Sequence, residues 1–196
     1  MPGTRLLATF VLVFLAGCSS DQQNWNAKSI SGLMPELSYE LTDTSGETVT
    51  AEDMDGNIRL MFFGFTSCPD ICPTTLQKLA RVVRNLPEPV RKDVKIIFVS
   101  VDPERDTPER IGSYVGFFSD SIIGLTGSEE NLRELSKRYR TTFGYETPDE
   151  GGNYDVSHSS AVYVFDRDGA ARLLVRPGQS AEALTADLTA LASEGA

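Results

Sequence analysis

Histidine, cysteine and basic residues are all scarce in this 196-residue chain, and each shortage removes a class of function. The single histidine is His158, so any chemistry that needs an imidazole must use it. Lysine and arginine total 18 against 28 acidic residues, and the net charge of −10 disfavours nucleic acid and anionic lipid headgroups as partners. Internal repeats, low-complexity tracts and a second long hydrophobic run are also absent from the sequence, which favours one ordinary globular domain.

The first seventeen residues are short of charge, with Arg5 as their only charged side chain. The apolar stretch at 6–15 is too short to span a bilayer comfortably, so it indicates an export signal. It ends in the sequence LAGC at 15–18, which resembles the lipobox of bacterial lipoproteins. This resemblance implies removal of residues 1–17 and a diacylglyceryl group on the sulfur of Cys18. An ordinary signal peptide that happens to precede a cysteine is the alternative.

We therefore expect an extracytoplasmic protein that is held by lipid on the periplasmic side of a bacterial membrane. Residues 18–35 are polar and are predicted to form the lipidated tether, and residues 36–196 are predicted to form the folded domain. Loss of Arg5 leaves 17 basic residues against 28 acidic ones, so the mature chain carries a net charge of −11. The roughly 180 residues that remain are enough for one domain with its own core.

The cysteines form one pair once Cys18 carries lipid, because only Cys68 and Cys72 remain. They lie between an apolar run at 58–65 and an amphipathic segment at 74–86, which predicts a loop that feeds the N-terminus of a helix. Unpaired N–H groups and the helix dipole at such a position favour thiolates, which exchange disulfides and bind soft metal ions. A disulfide that closed so short a loop would contribute about 2 kcal/mol or less, so we expect a functional pair.

The hydrophobic pattern alternates between strands and helices. Continuous apolar runs at 58–65 and 94–101 are typical of buried parallel strands, and Thr107, Ser128 and Ser180 are predicted helix N-caps. The other predicted segments are a hairpin at 37–50, helices at 74–86, 107–118, 128–140 and 180–191, a strand at 121–125 and a hairpin at 161–175. This order suggests an α/β, thioredoxin-like fold with a central sheet, flanking helices and an N-terminal β-hairpin.

Three blocks of sequence resemble the Sco/SenC family of copper chaperones for cytochrome c oxidase. They are FFGFTSCPDICP at 62–73, VSVDPERDTP at 99–108 and YDVSHS at 154–159. A Cys-X3-Cys motif alone would be weak, but three blocks in this order behind a lipobox are a specific signal. The resemblance implies a thioredoxin-like fold that binds a copper ion, Cu(I) or Cu(II), through Cys68, Cys72 and His158.

The residue types support such a site without reference to the family. Two thiolates and one imidazole suit Cu(I) and tolerate Cu(II), whereas a structural zinc ion normally takes four protein ligands. Helical residues four apart have Cβ atoms about 5–6 Å apart, while a disulfide needs about 3.8 Å, so the spacing of Cys68 and Cys72 eases chelation of a metal. A metal-bound imidazole usually donates its second nitrogen to an acceptor; Asp155 or a neighbouring carbonyl is the candidate.

Two positions depart from the family pattern. Ser67 and Ser157 stand where many members have His and Asp beside the ligands. We expect the first change to leave the metal ligands intact and the second to remove a carboxylate next to His158. Asp70 is expected to bond to the loop or to act on the thiols, and the charged residues at 102–106 are expected to form salt bridges beside the site.

Two classes of function fit Cys68 and Cys72. The favoured one is a membrane-anchored metallochaperone that delivers copper to the CuA site of cytochrome c oxidase, or reduces the cysteines of that site. Its expected partners are the oxidase subunit that carries CuA, and another copper donor or a thioredoxin-like reductant. The alternative is an extracytoplasmic thiol–disulfide oxidoreductase or thiol peroxidase, in which the same cysteines are the redox-active pair and His158 is not required.

Overall fold

The computed structural model describes residues 23–194 of the chain. The predicted leader at 1–17, the predicted lipidation site Cys18 and the first residues of the predicted tether lie outside the described residues. Within the described part of the chain, no helix has both the length and the apolar composition needed to cross a bilayer.

A mixed sheet of eight strands forms the centre of the domain, in the order β1-β10-β9-β4-β5-β6-β2-β3. Strands β4, β5 and β6 pair in parallel, and the other neighbours pair antiparallel. A separate antiparallel pair is formed by β7 and β8. The strand bounds are β1 Lys28–Ser29, β2 Glu40–Asp43, β3 Thr48–Thr50, β4 Ile58–Gly64, β5 Val94–Ser100, β6 Ile122–Thr126, β7 Phe143–Tyr145, β8 Val156–His158, β9 Val162–Phe165 and β10 Ala171–Val175.

Between residues 23 and 194, five α-helices and one 3-10 turn connect and cover these strands. Three helices begin as the sequence predicts, because the hydroxyls of Thr107, Ser128 and Ser180 accept hydrogen bonds from backbone N–H groups in the first turn, at 3.3, 3.2 and 3.1 Å. The helix bounds are α1 Ile71–Asn85, α2 Glu88–Asp93, α3 Pro108–Gly116, α4 Glu129–Arg138 and α5 Ala181–Ser193, and the 3-10 turn is Glu52–Met54.

Two hydrophobic cores lie on opposite faces of the sheet. Strand β4 contributes to both, because successive side chains point to opposite faces: Phe62 packs in one core and Phe63 in the other. Helices α1, α3 and α5 cover the face of Phe62, and α4 covers the face of Phe63. The resulting three-layer arrangement confirms the predicted thioredoxin-like α/β fold.

The folded domain begins earlier in the chain than the predicted boundary at residue 36. Residues Lys28–Ser29 pair with β10, and the buried carboxylate of Asp187 accepts hydrogen bonds from the N–H groups of Asn26 and Ala27, at 2.9 and 2.8 Å. The part of the predicted tether from Asn26 onward is therefore attached to the domain. A two-residue strand in a polar segment carries no periodic signal, so the sequence pattern does not reveal it.

Two further differences from the sequence pattern position the candidate site. Helix α1 begins at Ile71 rather than at residue 74, which places Cys72 in its first turn. The short hairpin of β7 and β8 is absent from the sequence-based prediction, yet β8 ends at His158. Its strands have three residues each, too few for a hydrophobic alternation to be recognised.

Candidate metal centre

Three separate elements bring Cys68, Cys72 and His158 together. Cys68 lies in the loop that follows β4, Cys72 in the first turn of α1, and His158 at the end of β8. Their ligand atoms, two Sγ and one imidazole nitrogen, all lie within 4.8 Å of one another. The three residues named from the sequence therefore converge on one point, although 86 positions separate Cys72 from His158.

Both sulfurs lie close to neighbouring polar atoms, but they do not form a disulfide with each other. The Sγ of Cys72 is 3.4 Å from Nε2 of His158, and the backbone N–H of Cys72 donates to Sγ of Cys68 at 3.4 Å. Cys72 is fully buried, while Cys68 and His158 are half-buried. An ion or a partner thiol would therefore reach the centre from the side of Cys68 and His158.

Burial determines the protonation of Cys72. Its pKa is raised far above the ordinary value of 9.0, chiefly because the buried sulfur is removed from water. The position near a helix N-terminus was expected to favour thiolates, but burial, the largest cause of the pKa shift of Cys72, acts in the opposite direction. In the metal-free protein Cys72 is a thiol, and a bound metal would take the place of its proton.

His158 is held as a neutral imidazole with one nitrogen directed at Cys72. Burial is the main cause that lowers its pKa below the ordinary 6.5. Its Nδ1 is 3.0 Å from the carbonyl oxygen of Ser159, which makes that carbonyl the acceptor and leaves Nε2 with a free lone pair. The predicted neighbouring carbonyl is thus the partner, and the side chain of Asp155 is exposed. The rings of Phe62 and Phe65 pack against the imidazole in T-shaped contacts, with centroids 6.0 and 5.7 Å away.

A buried carboxylate fixes the loop that carries Cys68. Asp106 accepts hydrogen bonds from the N–H of Thr66 at 2.8 Å, from its hydroxyl at 2.5 Å, and from the hydroxyl of Ser100 at 2.5 Å. These bonds join the cysteine loop to the end of β5 and to the loop that follows it. The position of Cys68 is therefore set by a carboxylate that is remote from it in sequence.

The expected salt bridges at 102–106 are present beside the site. The guanidinium of Arg105 donates to Asp102 at 2.5 Å and to the carbonyl of Tyr154 at 2.9 Å, and it lies 3.6 Å from the centroid of the Tyr154 ring. The hydroxyl of Tyr154 also donates to Asp102 at 2.7 Å. This cluster ties the loop after β5 to the segment that leads into β8, and so to His158.

The serines that depart from the family pattern bond outside the triad. The hydroxyl of Ser67 accepts from Arg110 at 2.9 Å, and the hydroxyl of Ser157 donates to the carbonyl of Gly144 at 3.3 Å. Both serines are exposed. Asp70 is also exposed, and its carboxylate accepts from the hydroxyl of Thr74 at 3.3 Å. Among the described residues, its side chain forms no cap hydrogen bond to the backbone N–H groups at the start of α1.

Gly64 is a residue of the site that the sequence analysis did not single out. A Cβ at this position would lie 2.7 Å from Sγ of Cys72 and 2.7 Å from the ring of Phe98. Real Cβ contacts are not that short, so only glycine at the end of β4 leaves room for the buried sulfur. A glycine inside an otherwise bulky aromatic strand, directly before the cysteine loop, is the sequence signal that would have indicated this.

The donor set determines what the centre can do chemically. Two sulfurs and one imidazole nitrogen, with an aromatic wall on one side, fit a soft ion of low coordination number such as Cu(I). A structural zinc ion would need a fourth ligand. The same two thiols can also close to a disulfide, with release of two protons and two electrons, if the loop contracts.

Comparisons with known proteins agree with this geometry. The SCO1/SenC family model matches residues 32–193. The SCO2-like protein of Rickettsia conorii is 37% identical over 132 residues, which are 67% of this chain and 64% of that protein. The mitochondrial SCO2 homolog of Bos taurus is 40% identical over 148 residues, which are 75% of this chain and 56% of that protein. The chain thus spans less than two thirds of the length of these two relatives.

A solved structure shows the same fold with a metal bound. The structure of Bradyrhizobium japonicum ScoI with copper bound superposes with a TM-score of 0.72 at 34% sequence identity, and the match covers 80% of this chain and 98% of that one. The family model spans most of the chain, and the relatives exceed 30% identity over at least two thirds of it. The chain therefore belongs to the SCO1/SenC family.

Proposed function

We propose that this protein binds one copper ion through Cys68, Cys72 and His158 and acts as a copper chaperone in the assembly of cytochrome c oxidase. The observation that carries the proposal is the convergence of two thiols and one imidazole, within 4.8 Å, at a half-buried point. A relative of the same fold holds copper, and the Sco family consists of cytochrome c oxidase assembly proteins. The proposed recipient is the oxidase subunit that carries the CuA site.

Delivery of copper is favoured over reduction of the recipient's cysteines. A reductase would attack its target through the more accessible Cys68 and would not require an imidazole. The approach of Nε2 of His158 to Sγ of Cys72, at 3.4 Å, instead adds the third ligand that a shared soft metal ion would need. A thiol–disulfide oxidoreductase remains the second candidate, with Cys68 as its more accessible sulfur.

Titration with copper tests the ligand set. The reduced full-length protein in detergent should retain one copper per chain after gel filtration and show a thiolate-to-Cu(II) charge-transfer band. Changes outside the ligand shell alone typically cost about 10–100-fold in metal affinity, so Cys68→Ser and Cys72→Ser should each cost more than about 100-fold. His158→Ala should weaken binding, while the matched control Ser157→Ala should not. Failure of the wild-type protein to retain copper would contradict the proposal.

The oxidation state of the cysteines should control copper binding. A Cys68–Cys72 disulfide removes both thiolates, and one imidazole does not hold Cu(I) against competing thiols. Copper should therefore raise the melting temperature of the reduced protein by mass action and leave that of the oxidised protein unchanged. An equal rise in both forms would show that the cysteines are not the ligands.

Attachment to the membrane through lipid on Cys18 is the second part of the proposal. The sequence LAGC at 15–18 supports it, as does the position at which the chain joins the sheet. Strand β1 runs antiparallel to β10, β10 to β9, and β9 to β4, so β1 starts at the end of the sheet where β4 finishes. A short tether would therefore hold the metal centre on the membrane side of the domain, near a membrane-embedded recipient.

Mass spectrometry and fractionation test the anchor. The mature protein should begin at Cys18, carry acyl chains and sediment with membranes, whereas Cys18→Ser should remain unprocessed or lose its membrane association. An unmodified mature N-terminus at another residue would contradict this part of the proposal and leave the copper site untouched.

A further inference from the structure

A groove with an apolar floor opens between the first turns of α1 and the loop that joins β10 to α5. Its floor is the cross-strand pair of Val162 and Val175, both of which are buried. One wall is a single face of α1, since its residues follow the helical spacing i, i+3, i+4 and i+7: Ile71, Thr74, Thr75 and Lys78. The other wall is formed by residues 176–178.

The rim of this groove adjoins the metal centre. Ile71 directly precedes the proposed ligand Cys72, and Ser160 lies two residues after His158. Because consecutive Cα atoms are 3.8 Å apart, the Cα atoms of these rim residues lie within about 4 and 8 Å of those of the two ligands. A typical interface covers about 800 Å² of each partner, so a protein that reaches the centre to take copper also covers the groove.

The size of the groove suits one side chain of a larger partner. Its volume is about 160 Å³, whereas sites for whole small molecules usually measure about 300–1,000 Å³. Ile71, at the rim, leaves 45% of its surface exposed to water. An apolar side chain of a partner would remove Ile71 and the valine floor from water, which favours binding.

Two cations without a carboxylate partner flank the groove. The ammonium of half-buried Lys78 donates to the carbonyl of Gln179 at 3.4 Å, and burial lowers the pKa of Lys78. Within residues 23–194, neither Lys78 nor exposed Arg176 forms a salt bridge. Asp70 is the one acidic residue that lines the groove, and its carboxylate accepts from the hydroxyl of Thr74 at 3.3 Å. Two cations and one carboxylate give the groove a local charge of +1, in a chain whose net charge is −10.

We propose that this groove binds an acidic segment of the protein that receives the copper, with an apolar side chain over Val162 and Val175 and carboxylates on Lys78 and Arg176. The inference deepens the proposed function and rests on it, because the segment belongs to the copper recipient. A carboxylate would supply the partner that both cations lack. The net charge of the chain repels an acidic segment elsewhere, so the local positive charge would orient the recipient at the metal centre.

Two capped hexapeptides test the groove, one of alternating leucine and aspartate and one of alternating leucine and lysine. Each is titrated into the reduced, metal-free full-length protein in detergent, and the NMR shifts of backbone amides report binding. The aspartate peptide should shift the amides of Ile71, Thr75 and Gly178 and bind more tightly than the lysine peptide, against the overall charge of the chain. Lys78→Gln combined with Arg176→Gln should weaken its binding about 5- to 20-fold, the combined effect of two partly exposed ion pairs.

Arg84→Gln combined with Lys137→Gln is the matched control. It removes the same charge at the far end of α1 and on α4, which covers the other face of the sheet. This control should bind the aspartate peptide like wild type, and both double variants should retain the copper band. Tighter binding of the lysine peptide, or equal affinity of the two double variants for the aspartate peptide, would overturn the inference.

The copper titration separates this inference from the proposed function. If the wild-type protein retains copper but does not bind the aspartate peptide, the inference alone is overturned. If it binds the peptide but does not retain copper, the proposed function fails, and the copper recipient is excluded as the partner.

Discussion

The two ends of the central sheet differ in how their polar side chains are paired. At the end where β4 begins, the guanidinium of buried Arg59 donates to the carbonyls of Met54 and Asp166, at 2.5 and 3.0 Å. Nearby, Arg172 forms ion pairs with Asp166 and with Glu194. At the opposite end, where β4 finishes, two free thiols and an imidazole face one another.

The difference separates a structural end from a functional one. Where the chain supplies both partners of a buried polar contact, the contact stabilises the fold and needs nothing from outside. Where two thiols and an imidazole converge at a half-buried point, the arrangement suits an external ion, as proposed above. Three predictions test whether the two ends are in fact independent, and they run from the largest expected effect to the smallest.

The first prediction concerns Gly64, which packs directly against the proposed ligand Cys72. Gly64→Ala should lower the free energy of unfolding by about 1–3 kcal/mol through overpacking and, by displacing the sulfur of Cys72, should also weaken copper binding. Gly124→Ala is the matched control, because its Cβ would lie 2.3 Å from a methyl carbon of Ile111 instead of from a ligand. Urea unfolding and copper titration of both variants give the comparison. Equal copper affinity in the two variants would mean that the sulfur does not depend on Gly64.

The second prediction concerns Arg59 at the structural end. Arg59→Met keeps most of the apolar stem but leaves two carbonyls without their donor, so the free energy of unfolding should fall by about 2 kcal/mol. Arg172→Met, in which half-buried ion pairs are lost, should cost about 1 kcal/mol or less. Both variants should bind copper like wild type. A loss of copper binding in Arg59→Met that persists where the protein is fully folded would show that the two ends are coupled.

The third prediction is a pH dependence at the functional end. Because the folded protein lowers the pKa of His158, the stability linked to the neutral ring is fully present above the ordinary pKa of 6.5 and is lost as the pH falls through the folded value. Between pH 7 and pH 5 the reduced, metal-free wild type should lose more stability than His158→Gln, which does not titrate there. Urea unfolding at both pH values measures this. Equal losses of stability in the wild type and in His158→Gln would mean that burial does not lower the pKa of the His158 ring.

Most of the secondary structure followed from local signals. The apolar runs of β4 and β5 and the caps Thr107, Ser128 and Ser180 act over a few residues, and the structure confirms them. Strand β1 and the β7–β8 hairpin were missed, because they are two and three residues long and are held by pairing with distant segments. Short strands derive their stability from their partners and not from their own composition.

The sequence by itself determined the chemistry of the centre. One histidine and one pair of cysteines on a loop before a helix specify the donor atoms, and the motifs around them identify the family. These features are local: residue type sets the donor atom, and spacing sets which residues share a loop or a helix turn.

Only the tertiary structure decided how those donors behave. The sequence pattern favoured a thiolate at Cys72, whereas burial in the core makes it a thiol in the metal-free state. The contact of Cys72 with His158 and the space left by Gly64 likewise arise from segments remote in the chain. Desolvation and steric clearance depend on every neighbour that packs around a group, and those neighbours are assembled only when the sheet and its helices close over it.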